Sequence, residues 1–405
     1  MKYRKDGKSG NELSALGFGC MRFPRKNGAI DMARTEWLVM EAIQGGVNYF
    51  DTAYIYGGSE EALGAVLEKH KVRDKVFIAT KLPLIVTRSR SDFDKFFNKS
   101  LERLRTDHVD YYLLHMLTDR GQWEKFRALG IADWLAEQKK AGRIKQAGFS
   151  FHGAQEEFQG LLDAYDWDFC QIQYNYAQEN YQAGKAGMLR AAAGGLPVIV
   201  MEPLLGGKLA AVLPREAEEV FRAADPNRKA ADWAFRWLWD QEEVTVVLSG
   251  MNDPVQLEEN LLTAETALPG ALTGDERETY RRVLEIFRAS YKIPCTGCNY
   301  CMPCPQNVNI PGCFAAYNTS FAMGWIQGMQ QYATSATLTS ARTGGPGHCV
   351  RCGKCESHCP QHIAVMDSLK SVRRRLEPLW IRWGLAVVRA ALGHSKKKSA
   401  EPAAG

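Results

Sequence analysis

Phe50-Asp51-Thr52-Ala53-Tyr54-Ile55-Tyr56-Gly57 begins where a short apolar run, Val47–Phe50, gives way to polar residues. The run is too short for a helix and mixes β-branched with aromatic side chains, so it reads as a buried strand. Working outward, Val76–Thr80, Val109–His115, Ile144–Phe149, Phe169–Gln173, Pro197–Met201 and Val244–Leu248 read the same way, and Leu16–Met21 supplies a first strand. Helical patterns fall between them, among them Arg34–Gly45, Glu60–His70, Asp92–Arg105, Trp123–Ala141 and Lys229–Trp239. Eight β/α units in roughly 250 residues predict an α/β fold, a (β/α)8 TIM barrel. A doubly wound sheet is the alternative. Its glycine-rich first turn has only Gly17-Phe18-Gly19-Cys20-Met21-Arg22 to offer, which lacks a third glycine.

Barrels of this kind gather their active sites at the C-terminal ends of the strands. Asp51 and Tyr56 follow the second strand, Lys81 ends the third and His115 ends the fourth. Singly, each has an ordinary use: a helix cap, a half-buried ring, a cation reaching for water, a core imidazole. Together they suit carbonyl reduction, which needs a hydride at carbon and a proton at oxygen. A phenol of pKa about 10 is a weak acid unless its anion is stabilised, and a neighbouring ammonium does that. Asp51 would aim the ammonium of Lys81, and a neutral His115 could orient the substrate oxygen.

The spacing of five from Asp51 to Tyr56, with Lys81 and His115 on the next two strands, resembles the catalytic tetrad of the aldo-keto reductases over about residues 1–290. That resemblance implies an NAD(P)H cofactor. It places Cys20, Met21, Ser150, Gln173, Met201, Pro203, Leu204, Gly206, Gly250, Asn252, Gln256, Glu259 and Asn260 around the nucleotide. Ser150 and Gln173 would bond the nicotinamide carboxamide, and Glu202–Gly207 would approach the pyrophosphate. The family's asparagine after the serine is Phe151 here, and its stacking aromatic is Met201. The lysine and arginine that often meet a 2′-phosphate are missing after strand eight, so either a preference for NADH or weak nucleotide binding is expected. Loops Leu82–Ser91 and Leu117–Gln122 would shape the carbonyl substrate's pocket.

Eight cysteines follow in two runs: Cys295, Cys298, Cys301, Cys304 before Pro305, and Cys349, Cys352, Cys355, Cys359 before Pro360. A thiolate every third residue lets one loop wrap a cubane, whereas zinc sites usually split their cysteines into two distant pairs. Disulfides need an oxidising compartment. The second run resembles the bacterial ferredoxin pattern; the first closes one residue early. By that resemblance Cys295, Cys298 and Cys301 join Cys359 on one [4Fe-4S] cluster, and Cys349, Cys352 and Cys355 join Cys304 on another. The 44 residues between the runs, largely helical in pattern, resemble the all-helical ferredoxin modules. Cys20 and Cys170 lie on predicted strands and read as packed thiols, and Cys313 is unassigned.

These readings divide the 405 residues into a barrel (1–274), a connecting helix (275–291), a small, mainly helical ferredoxin-like iron–sulfur domain (292–368) and a basic tail (369–405). No apolar run approaches the roughly 20 residues of a membrane span, and no secretory signal opens the sequence. A reducing cytoplasm is expected. From Lys370 onward nine basic residues face two acidic ones, a surplus larger than the net charge of +5, so the body is nearly neutral and nucleic acid is not its partner. Arg375, Arg382 and Arg389 recur every seven residues; that face would pack on the protein, or dock a partner or an anionic membrane.

Hydride carries two electrons and a cubane one, so direct exchange needs a converter, usually flavin. Three functions follow: a carbonyl reductase with structural or docking clusters, a cluster-fed enzyme served by ferredoxin or another redox protein, and an electron-carrier subunit on a vestigial barrel.

Overall fold

In the computed structural model eight parallel strands close on themselves in sequence order: Leu16–Gly19, Tyr49–Asp51, Phe77–Leu82, Val109–Leu117, Ile144–Phe151, Phe169–Gln173, Val198–Met201 and Val244–Ser249. Ser249 pairs with Phe18 and Phe18 with Phe50, which seals the ring. The structure describes residues 1–153, 155–333 and 345–378. The segment 379–392, with Arg382, Arg389 and the docking face assigned to them, lies outside these residues.

Every second residue of a strand faces the barrel interior. Tyr49, Ala79, Tyr111, Phe169, Ile199 and Val246 form a buried apolar layer there, joined by Leu13. Leu13 belongs to a hairpin, Tyr3–Lys5 with Glu12–Ser14, that precedes the first strand, and the Tyr111 hydroxyl donates to Asp6 Oδ2 at 2.8 Å. The hairpin fills the N-terminal end. The alternate residues Phe18, Phe50, Ile78, Tyr112 and Leu114 face outward into the core beneath the helices.

Two expectations change. The first strand ends at Gly19, and Cys20–Arg22 forms a 3-10 turn. The helix expected over Trp123–Ala141 is two helices, Arg120–Ala128 and Ile131–Lys140, because Gly130 between them takes φ +84°.

The chain divides into two compact units. Met1–Leu205 and Ala224–Tyr280 form the first, and Gly206–Ala223 with the chain from Arg281 forms the second. The helix Gly274–Ser290 is split between them. The second unit packs Ile310–Ala322 against Val365–Leu376 around Val308, Phe314, Val365, Leu369 and Val372. Asn309 caps the first of these helices by accepting from the Gly312 amide at 3.2 Å. Arg375 lies 3.8 Å from the centre of the Phe321 ring and donates to the Ser320 hydroxyl at 2.6 Å and carbonyl at 2.9 Å. That arginine therefore joins two helices and is not part of a free docking face.

Candidate active site and cluster cavity

The alternation that builds the apolar layer also builds the site. Two residues beyond Tyr49, Ala79 and Phe169 stand Asp51, Lys81 and Gln171, and two beyond Leu113 stands His115. All face inward by register. Lys81 Nζ donates to Asp51 Oδ1 at 2.6 Å, to Oδ2 at 2.7 Å and to the Thr52 carbonyl at 2.8 Å. Gln171 Nε2 donates to Asp51 Oδ2 at 3.3 Å. Burial pushes the Asp51 carboxyl up and the Lys81 ammonium down, and each is held back by the other's charge. Three oxygens around the three donors of an ammonium suit the charged form.

Tyr56 comes from the loop after strand two. Its ring centre lies 5.2 Å from Lys81 Nζ and 5.8 Å from the His115 ring, at 82° to it. The loop is pinned from behind: Arg103 stacks 4.5 Å from the Tyr54 ring, donates to the Tyr54 carbonyl at 3.1 Å and pairs with buried Glu60 at 3.1 Å. Tyr54 is thus a support, and Tyr56 faces the charged pair. Strand four shifts register between Leu114 and Leu117, and Met116 takes φ +63°. This bulge turns the chain just past His115, and the Met116 amide donates to Ser150 Oγ at 2.9 Å. Burial, then the charges of Lys81 and His152, hold the His115 imidazole well below its ordinary value, so it stays neutral.

All four tetrad residues are therefore brought together. Sequence reasoning passed over Gln171 and His152. The signal for Gln171 was strand alternation from Phe169. His152 directly follows strand five, is buried, and acts on His115.

The nucleotide residues are placed less uniformly. Gln173 Oε1 is buried without a partner among the described residues, as a carboxamide contact requires, while its Nε2 donates to Gln178 at 2.8 Å. Gln173 pairs with Met201 across the sheet. Ser150 is buried, with its oxygen engaged by Met116. Cys20 is fully buried, its thiol 3.7 Å from the Phe18 carbonyl and kept protonated by burial, whereas Met21 is exposed. Pro203 is buried and Leu204 partly so. Gln256 accepts from the Asn252 amide at 3.3 Å, Asn260 donates to Ser249 Oγ at 3.1 Å, and Glu259 pairs with Lys229. Carbons of the Arg22 side chain lie 3.2–3.5 Å from where a Gly250 Cβ would stand. Gly206 takes φ +70°, and its α-carbon faces the Thr296 carbonyl of the second unit, so its small size serves that packing.

In the second unit Cys295, Cys298, Cys301 and Cys359 line one open cavity with Ile310, Phe314 and Ile363. Residues 58 or more apart in sequence thus meet, as the crossed ligand set implies. Among the described residues no group of three or more Cys, His, Asp or Glu side chains is arranged to hold a metal ion. Burial, then the charges of the other three, pushes the Cys301 thiol up to about 12. Four thiols in an apolar pocket fit a cubane, whose irons favour the deprotonated sulfurs. Cys349, Cys355 and Cys304 pack against the same apolar core, and Cys352 is exposed. Cys313 is buried in the helix Ile310–Ala322.

Known proteins agree with both halves. The 4Fe-4S dicluster domain matches residues 294–364. The chain is 25% identical over 311 residues to an NADH-specific methylglyoxal reductase of Escherichia coli strain K12, covering 64% of this chain and 92% of that one. It is 25% identical over 307 residues to an L-glyceraldehyde 3-phosphate reductase of Escherichia coli O157:H7, covering 64% and 87%. A solved aldo-keto reductase from Bacillus halodurans, in its holo form, shares the fold with a TM-score of 0.57 at 24% identity, covering 70% of this chain and 96% of that one. The aldo/keto reductase family profile matches residues 15–271, and the chain belongs to that family.

Proposed function

We propose that the barrel interconverts a small carbonyl compound and its alcohol with a nicotinamide cofactor, and that the second unit carries two [4Fe-4S] clusters. The observation that carries the first part is the buried Asp51–Lys81 pair set beside the Tyr56 ring. Nicotinamide, when bound, supplies the hydride to the carbonyl carbon. Tyr56 delivers the proton to the carbonyl oxygen, and Lys81 stabilises the phenolate that remains. Asp51 keeps Lys81 charged and in place. His115, neutral, donates a hydrogen bond to the same oxygen and orients it. Gln173 and Ser150 would hold the carboxamide, with Met201 against the ring. Relatives named for small aldehyde substrates support the substrate class.

NADH is the favoured form, since the strand-eight loop carries no lysine or arginine of its own and one relative is named NADH-specific. The aliphatic stem of Arg22 packs beside Gly250, and Arg34 pairs with Asp253 of the same loop at 2.5 Å. Among the described residues no helix is long and apolar enough to cross a membrane. We place the protein in a reducing cytoplasm, where eight cluster thiols stay available.

A cluster-fed reading is favoured by one feature. Cys352 is the only exposed thiol among the eight, and exposed Val350, Arg351 and Lys354 surround it. This edge suits an acidic one-electron carrier such as a ferredoxin, with flavin as converter in the barrel. Anaerobic assay of Tyr56→Phe separates the readings. Loss of NADH-dependent carbonyl reduction by about 10²–10⁴-fold supports the first; unchanged turnover supports the cluster-fed one.

A further inference from the structure

The cavity that gathers Cys295, Cys298, Cys301 and Cys359 is lined mainly by apolar residues, with Thr296, Asn299 and Gln361 as its other polar side chains. Thr296 is 4% exposed, and its hydroxyl is buried with no hydrogen-bond partner among the described residues. Leaving a buried hydroxyl so is unfavourable unless something in the cavity accepts from it. Thr296 directly follows Cys295, so it stands beside a sulfur. Its backbone is also held. A methyl group on Gly206 would come 2.1 Å from the Thr296 carbonyl oxygen, so only glycine lets the two segments of the second unit meet this closely.

We propose that Thr296 Oγ1 donates a hydrogen bond to a sulfur of the cluster held by Cys295, Cys298, Cys301 and Cys359, and that this bond raises the reduction potential of that cluster. Gly206 is the positioning residue that keeps Thr296 in place. The inference rests on the cluster assignment above. Reduction adds one electron whose charge spreads onto the sulfurs. A donor aimed at a sulfur therefore stabilises the reduced form more than the oxidised one. The second cluster has its ligands elsewhere and is an internal control.

The test is a mediated redox titration of the full-length, anaerobically reconstituted protein, followed by electron paramagnetic resonance. Thr296→Val keeps the shape and removes the hydroxyl; Thr296→Ser keeps the hydroxyl. The expected result is a downward shift of one cluster's potential in Thr296→Val, little shift in Thr296→Ser, and an unmoved second cluster in both. Gly206→Ala should lower the same potential by displacing Thr296. Loss of that cluster's signal from the valine variant alone would equally support the contact. Full iron with equal potentials in wild type and Thr296→Val overturns the assignment and leaves the clusters standing. A wild-type protein that binds no iron overturns both.

Discussion

Lys81 reaches from the third strand to grip both carboxylate oxygens of Asp51, at 2.6 and 2.7 Å, in a site where the two side chains are 1% and 6% exposed. Desolvating two ions is unfavourable, and a pair so buried is weak evidence for stability. In the proposed reaction its use is the charge it presents 5.2 Å from the centre of the Tyr56 ring.

Removing one member of this pair should be worse than removing both. Lys81→Met leaves a buried carboxylate alone and should cost about 3–5 kcal/mol of stability. The double variant Lys81→Met/Asp51→Asn should recover most of that loss while remaining inactive. Urea unfolding and carbonyl reductase assays check the two halves. Recovery of activity in the double variant would remove Lys81 from the chemistry.

His115 has its proton affinity depressed by burial first and by Lys81 and His152 next. Below about pH 6.5 the unfolded chain takes up a proton that the folded chain refuses. Stability is then full above the unfolded value and falls as pH drops through it. His115→Asn should flatten this acid dependence. In the native enzyme kcat/KM should show no loss centred on pH 6.5, because the imidazole is already neutral there.

Cys359 lies in the cavity of Cys295 although 63 residues separate them in the chain. Cys295→Ala and Cys359→Ala should therefore remove the same cluster, and Cys304→Ala the other. Each variant should keep about four iron atoms per chain. Resonance spectra that instead group Cys359 with Cys349 would contradict the crossed arrangement.

The aliphatic stem of Arg22 packs beside Gly250 in the strand-eight loop, which has no lysine or arginine of its own. Arg22→Ala should weaken NADPH binding about tenfold, the scale of one charge-assisted hydrogen bond, and NADH binding by less. Fluorescence titration of the two nucleotides measures it. Equal, small effects on both would mean that the guanidinium faces water.

Strand positions were legible because burial on both faces leaves short apolar runs, and Phe169–Gln173 matches its strand end to end. The tetrad was legible because strand ends and inward register are local properties of sequence. Arg22, His152 and Gln171 escaped for one reason: their partners lie on other strands, and spacing says nothing of who stands opposite. The helix break at Gly130 escaped because a left-handed glycine interrupts a pattern that otherwise runs through it.

By itself the sequence determined eight strands, an inward-facing Asp51, Lys81 and His115, and two runs of thiols, since all of these follow from periods of two and three along the chain. The tertiary structure alone decided that Arg22 lies against Gly250 and that the Gly206 backbone meets Thr296. Those meetings join segments far apart in the chain, and only packing in three dimensions selects them.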